Sequence, residues 1–110
     1  MLISRKEGYA LDEWEIREHP EFFKDIDKLG TRELQNFYEK KKKVKENPLR
    51  LKHLSGGTNC YREPITDNIR LIYYIKGKTI WLLTIGTHKK AFEKYLKRLY
   101  SLRQKILNKE

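Results

Sequence analysis

The spacing of hydrophobic positions changes several times along the chain, and each change predicts a new element. Apolar and polar residues alternate from Glu13 to Glu18, which is typical of a short, half-buried strand. Helical spacing follows over residues 20–30 and again over residues 31–47. Gly30 is the predicted C-terminal cap of the first helix and Thr31 the N-cap of the second. These two helices are predicted to form an antiparallel hairpin.

Three further strands are predicted over Thr58–Ile65, Ile69–Ile75 and Thr79–Ile85. The last two are apolar on nearly both faces, which is typical of central strands. Pro64 cannot donate a hydrogen bond to a neighbouring strand, so the first of the three is predicted to lie at an edge of the sheet.

Helical spacing returns over Lys89–Leu107, where one apolar stripe runs along the predicted helix. The polar face of this helix carries four basic residues: Lys90, Lys94, Lys97 and Arg98. The predicted element order is therefore β-α-α-β-β-β-α, an α+β domain in which a helical hairpin packs on a four-stranded, mainly antiparallel sheet. We expect one domain over residues 1–110, with its core in residues 13–95 and a C-terminal helix extension in residues 96–110.

Charge and composition narrow the class of function. The 110 residues carry a formal net charge of +10, and residues 31–110 contribute all of the excess. Such a field favours a polyanionic partner, although a solvated lysine surface is the simpler alternative. A single cysteine, Cys60, cannot form an intramolecular disulfide. Without a predicted membrane span or signal peptide, the protein is expected to be soluble and cytoplasmic.

Two arginines on the predicted edge hairpin are candidates for phosphate binding. If residues 66–68 form a three-residue turn, Pro64 pairs with Arg70, and Arg62 and Arg70 project from the same face. Two guanidiniums on a rigid sheet could grip a phosphate and stabilise additional charge in a transition state. The alternative is that each arginine simply pairs with a carboxylate of the same hairpin.

The histidines supply candidates for proton transfer. His88 follows Gly86 at the end of the last strand, and an imidazole titrates near neutrality. Phe92, four residues later, could stack on an RNA base. The alternatives are a helix N-terminal residue for His88 and a core residue for Phe92. His53 is either a second proton-transfer group or a loop residue, and the spacing of the histidines does not suggest a metal or another cofactor.

Three segments, in this order, resemble type II toxins of the RelE/ParE superfamily: Leu51–Arg62, Ile69–Tyr73 and Leu82–Phe92. Arg62 and Arg70 match basic positions of RelE-like members. Gly86-Thr87-His88 with Phe92 is similar to the ending of the YafQ-like branch, in which a loop histidine matches His53. The chain departs from the RelE-like pattern at Pro64, where a second lysine is usual, and from the YafQ-like pattern near Ile65, where that branch has a further histidine.

This resemblance implies a RelE/ParE-like fold and a ribosome-dependent mRNA endoribonuclease that needs no metal. The ribose 2′-OH would attack the scissile phosphate, with the catalytic residues His53, Arg62, Arg70, His88 and Phe92. The general base stays open between His53, Glu63 and Asp67. The predicted RNA-binding residues are Lys42, Lys43, Lys45, Lys52, Lys89 and Lys90.

The implied partners are a cognate antitoxin, the ribosome and mRNA, with the toxin as a monomer or in a toxin–antitoxin hetero-oligomer. Two alternatives remain at this stage. One is a ParE-like topoisomerase (gyrase) inhibitor without nuclease activity, and the other is a catalytically inactive, basic RNA-binding module.

Overall fold

The element order of the protein is the one predicted from its hydrophobic spacing. The structure is a computed structural model that describes residues 13–50, 54 and 59–105. Its strands are β1 (Glu15–Glu18), β2 (Cys60–Pro64), β3 (Ile69–Lys76) and β4 (Thr79–Thr87). Its helices are α1 (Phe22–Ile26), α2 (Thr31–Glu46) and α3 (His88–Lys105), with a 3-10 turn at Pro48–Arg50. Among the described helices, none is both long and apolar enough to cross a membrane.

The four strands form one mixed sheet in the order β1-β4-β3-β2. β1 runs parallel to β4, whereas β2–β3 and β3–β4 are antiparallel pairs. The predicted central position of β3 and β4 is confirmed, and so is the edge position of β2 with its Pro64. The α+β class and the mainly antiparallel sheet are therefore confirmed.

Both faces of the sheet are covered, which explains why β3 and β4 are apolar on both sides. Helices α1 and α2 pack on one face, where Phe22 and Phe37 contact the odd-numbered residues of β3 such as Tyr73. Helix α3 packs on the other face, where Tyr95 and Leu99 belong to the same core as Ile72. We call these two surfaces the hairpin face and the α3 face.

Three details of the helices differ from the sequence prediction. Helix α1 ends at Ile26, and Gly30 is the N-cap of α2, where its N–H donates to the Glu33 carboxylate at 3.0 Å. Phe23 and Leu96 fit the apolar spacing of their helices, yet they are 56% and 49% exposed. Their apolar spacing matched the helical stripe, but the helices turn these positions away from the sheet.

The core extends further along α3 than predicted. The helix continues past Tyr95 without interruption, and Arg98, Leu99 and Leu102 are all buried. Buried packing along α3 therefore reaches at least Leu102, seven residues past the expected boundary at residue 95, while the single domain over residues 1–110 stays a prediction. Residues 106–110 of the predicted extension lie outside the described part of the chain.

Arg98 was predicted to lie on the polar face of α3, and that prediction is wrong, because the residue is only 7% exposed. Strand β1 stops opposite Leu82, which leaves a free edge on β4. The backbone N–H of Ile85 donates to Asp25 of α1 at 3.1 Å, and Arg98 donates to the Leu83 carbonyl at 2.8 Å. Arg98 also donates to both carboxylate oxygens of Asp25, at 2.6 and 3.1 Å. Asp25 and Arg98 therefore bind the backbone of β4 where β1 no longer does, and their ion pair connects α1 on one face of the sheet with α3 on the other.

His19, just after β1, should make the stability of the fold pH-dependent. Burial is the main cause that lowers the pKa of His19 below its ordinary 6.5, and the positive charge of Arg98 adds to it. Near pH 6 and below, His19 therefore binds a proton more readily in the unfolded chain than in the folded chain. As a result, the free energy of unfolding decreases as pH falls below about 6.5. Urea unfolding between pH 7 and pH 5 measures this decrease.

The matched control is His19→Asn, whose side-chain oxygen can still accept the Glu21 N–H that His19 Nδ1 accepts at 3.0 Å. This variant should lose stability less steeply over the same pH range. Equal pH dependence in both proteins would contradict the assignment to His19.

Candidate functional site

The register of the β2–β3–β4 ladder brings the two candidate arginines onto one face. Pro64 is opposite Arg70, as predicted, and Arg70 is in turn opposite Gly86 of β4. Arg62 is opposite Ile72, which is a core residue of the α3 face. Because residues two apart on a strand share a face, Arg62 and Arg70 both belong to the α3 face, separated along the strands by roughly 7 Å.

Arg70 is braced by the turn that precedes it. Its Nη1 donates to the carbonyl oxygens of Thr66, Asp67 and Ile69 at 2.7, 3.2 and 3.2 Å. The predicted alternative, pairing of Arg70 with the carboxylate of Asp67, is therefore not what the structure contains. Within residues 13–50, 54 and 59–105, Nε and Nη2 of Arg70 have no acceptor, so these two donors can serve a phosphate.

Arg62 is exposed at the edge of the sheet. It forms no ion pair with another described residue, in contrast to the alternative of pairing with Glu63. Its neighbour on the same face, Cys60, is buried, and burial raises the pKa of the Cys60 thiol to about 11. A thiol that stays protonated at neutral pH is a poor nucleophile, so Cys60 is not a candidate for covalent catalysis.

Glu63 lies on the opposite, hairpin face of β2 and is only 2% exposed. Its carboxylate forms an ion pair with Arg50 and lies 3.8 Å from the ammonium of Lys40. A side chain held there cannot reach a phosphate on the α3 face, so Glu63 is removed from the candidate bases. The prediction erred because sequence position alone did not weigh the alternation of faces along the strand.

His88 is the first residue of α3 and is exposed one residue beyond the end of β4. Its ring stacks on that of Phe92, with the centroids 4.5 Å apart and the planes inclined by 13°. Phe92 is half-buried and also meets the edge of Tyr95 at 5.9 Å. The stack restricts the orientation of the imidazole at the start of α3. One face of Phe92 is thereby occupied by His88, so base stacking by Phe92 remains a prediction.

Gly86 relates the position of Arg70 to the start of α3. A β-carbon built on Gly86 would approach the Lys90 β-carbon at 3.9 Å, so Gly86 faces the first turn of α3. Gly86 is the direct cross-strand partner of Arg70 and precedes His88 by two residues. Arg70 and the start of α3 therefore lie on the same face and at the same end of the sheet.

The predicted RNA-binding lysines do not form one surface. Lys89 and Lys90 are exposed in the first turn of α3, beside His88. Helix α2, which carries the exposed lysines 42, 43 and 45, covers the opposite, hairpin face. Lys52 and His53 lie outside the described residues. In the described part of the chain, no three His, Cys, Asp or Glu residues are grouped as metal ligands would be.

The comparisons with known proteins agree on the fold. No protein-family model matches the chain, and no curated protein matches it by sequence. Solved structures do match: a double mutant of Escherichia coli toxin RelE in the free state has a TM-score of 0.68 at 20% identity, covering 78% of this chain and 97% of RelE. The E. coli DinJ–YafQ toxin–antitoxin complex matches with a TM-score of 0.63 at 19% identity, covering 73% of this chain and 98% of the matched chain.

An archaeal RelE–RelB complex from Pyrococcus horikoshii matches with a TM-score of 0.59 at 20% identity, covering 72% of this chain and 99% of the matched chain. All three matched chains are covered almost completely. The protein therefore has the RelE-type toxin fold. At these identities the likeness establishes the fold alone, and the activity must be argued from the residues of this chain.

Proposed function

We propose that this protein is the toxin of a type II toxin–antitoxin system and acts as a metal-independent endoribonuclease on mRNA at the ribosome. One observation carries the proposal: the cross-strand alignment of Pro64, Arg70 and Gly86. The alignment supports the proposal because Arg62 and Arg70 belong to one face of the sheet, and because His88, which stacks on Phe92, follows Gly86 by two residues. A scissile phosphate in this position would meet cationic donors and a proton-transfer group together.

In the proposed reaction, the 2′-oxygen of the RNA attacks the adjacent phosphorus while a base removes its proton. The bond to the 5′-oxygen breaks, leaving a 2′,3′-cyclic phosphate and a 5′-OH. Arg62 and Arg70 would stabilise the charge of the phosphorane, and His88 would protonate the departing oxygen. His53 is the proposed base, with Asp67 as the alternative that remains in the exposed turn.

The stack of His88 on Phe92 supports the role of His88 in this scheme. An exposed imidazole would otherwise sample several rotamers, and each would place Nε2 and Nδ1 differently. Packing against a half-buried ring restricts the imidazole, so less entropy is lost when the reacting groups align. A cognate antitoxin is proposed as partner because similar folds occur in complexes with the antitoxins RelB and DinJ.

The test is to add the purified protein to translating ribosomes with a defined message and to map the 5′ ends. We expect cuts with a 5′-OH and a 2′,3′-cyclic phosphate. The same message with a 2′-deoxy sugar at the mapped site should remain intact, because the attacking oxygen is absent. If the wild-type protein leaves the message intact but blocks DNA supercoiling in a separate topoisomerase assay, the result would support the topoisomerase inhibitor instead. RNA binding without cleavage would support the inactive binding module.

A further inference from the structure

A second basic site lies away from the candidate active site, in a cleft between α1 and α3. The cleft has a volume of about 590 Å³. One acidic residue, Glu21, lines it, against six basic residues: Lys24, Lys28, Lys94, Lys97, Arg98 and Lys105. From the sequence, Lys94 and Lys97 were expected only on the polar face of α3. In the structure they share the cleft with Lys24 of α1 and with Lys28 just after α1, which are distant in sequence.

Part of this charge is already neutralised within the protein. Asp25 forms the buried pair with Arg98 and lies 3.4 Å from Lys94, and Glu21 lies 3.9 Å from Lys24. Within the described part of the chain, no carboxylate pairs with Lys28, Lys97 or Lys105. Among the described residues, the cleft therefore retains an excess of ammonium groups that no carboxylate neutralises, which favours an anion.

One residue that lines the cleft, His19, has a ring nitrogen without a hydrogen-bond partner among the described residues. The residue is only 4% exposed, and its Nδ1 accepts the N–H of Glu21 at 3.0 Å. A neutral imidazole that accepts at Nδ1 carries its proton on Nε2. Nε2 has no hydrogen-bond partner among the described residues, although it is buried. Such an orphaned donor is rare in folded proteins and calls for a partner.

The rim of the cleft supplies an aromatic surface. Tyr100 lines the cleft and is 66% exposed, the largest exposure among the large hydrophobic side chains that the structure describes. Ser101 and Gln104 add neutral hydrogen-bonding groups beside it. Cationic groups with an exposed aromatic ring are the combination that binds single-stranded nucleic acid, since the backbone meets the charges and a base stacks on the ring.

We infer that the α1–α3 cleft is a second RNA-binding site, which holds a backbone phosphate of a single-stranded segment and stacks the attached base on Tyr100. The inference rests on the proposed function in taking RNA as the ligand. His88 and Lys97 are nine residues apart on α3, which is two and a half turns, so they project from opposite sides of the helix about 13 Å apart along its axis. The cleft is therefore distinct from the candidate active site and would anchor RNA without cutting it.

The test uses a short, fluorescently labelled single-stranded DNA, which offers phosphates and bases but lacks the 2′-OH needed for cleavage. Binding is measured by anisotropy in an Arg62→Ala/Arg70→Ala/His88→Ala background, which removes the candidate phosphate-binding and proton-transfer groups of the active site. Lys28→Gln/Lys97→Gln should weaken binding about tenfold and lower the slope of log affinity against log salt by roughly 1.4. The control Arg32→Gln/Lys76→Gln removes two positive charges outside the cleft and should leave affinity within about twofold.

Tyr100 and His19 give two independent readouts. Tyr100→Ala should weaken binding at least about fivefold, whereas Tyr100→Phe should preserve it, because stacking needs the ring and not the hydroxyl. The ¹⁵N resonance of His19 Nε2 should shift as the oligonucleotide saturates the background protein. Inorganic phosphate should compete only at millimolar concentration, because it lacks the base.

Three results would overturn the inference: no binding by the background protein, equal losses in the cleft and control variants, or saturation by micromolar phosphate without oligonucleotide binding. The two proposals fail separately. Cleft binding without any mRNA cleavage would remove only the proposed nuclease. Cleavage by the wild-type protein, with no effect of the cleft variants on binding, would remove only the second site.

Discussion

Arg70→Ala is expected to lower the rate of mRNA cleavage by about 10² to 10³, the usual effect of removing one preorganised donor from a developing negative charge. The two guanidinium nitrogens without an acceptor in the described part of the chain are the groups that would meet the phosphorane. Single-turnover cleavage at saturating ribosomes measures the effect, because it separates chemistry from binding and release.

Arg70 also braces the turn through the carbonyls of Thr66, Asp67 and Ile69, so its removal could act through structure. Two controls separate these effects. Arg70→Lys keeps the charge but loses the planar fork, and it should recover only part of the rate. Arg32→Ala removes an exposed arginine from α2 and should cleave at the wild-type rate.

Thermal unfolding of each variant shows whether the turn survives. If Arg70→Ala lost stability but cleaved at the wild-type rate per folded molecule, the residue would be only a brace, and the proposed transition-state role would be wrong.

Asp25→Ala is expected to lower the free energy of unfolding by about 3 to 5 kcal/mol, because it leaves the Arg98 charge buried without its partner. The variant also removes the acceptor for the Ile85 N–H at the free edge of β4. Urea unfolding followed by circular dichroism measures the change.

The double variant Asp25→Leu/Arg98→Met provides the matched control. It removes both charges and should lose less stability than the sum of the losses of Asp25→Leu and Arg98→Met made singly, since in the double variant neither charge is left unpaired. If the stability loss of the double variant equals the sum of the two single losses, or if Asp25→Ala loses less than about 1 kcal/mol, solvent already screens this ion pair.

The sequence by itself determined the class of fold and much of the candidate site. Periods of two and of 3.6 residues separated strands from helices, since each period follows from backbone geometry alone. Pro64 marked the edge strand because it lacks a backbone donor. The turn over residues 66–68 fixed the register, so the shared face of Arg62 and Arg70 followed from local chemistry.

The tertiary structure alone decided which polar residues are buried in ion pairs and which remain exposed to solvent. From the sequence, Arg98 was expected to be an exposed cation on a polar helix face. In the structure it is buried beside the free edge of β4, where it pairs with Asp25 of α1. From the sequence, Glu63 was a candidate base. In the structure it is buried on the hairpin face and forms an ion pair with Arg50. The cleft between α1 and α3 joins residues more than sixty positions apart. Local spacing carries no information on such contacts, because they depend on how whole elements pack.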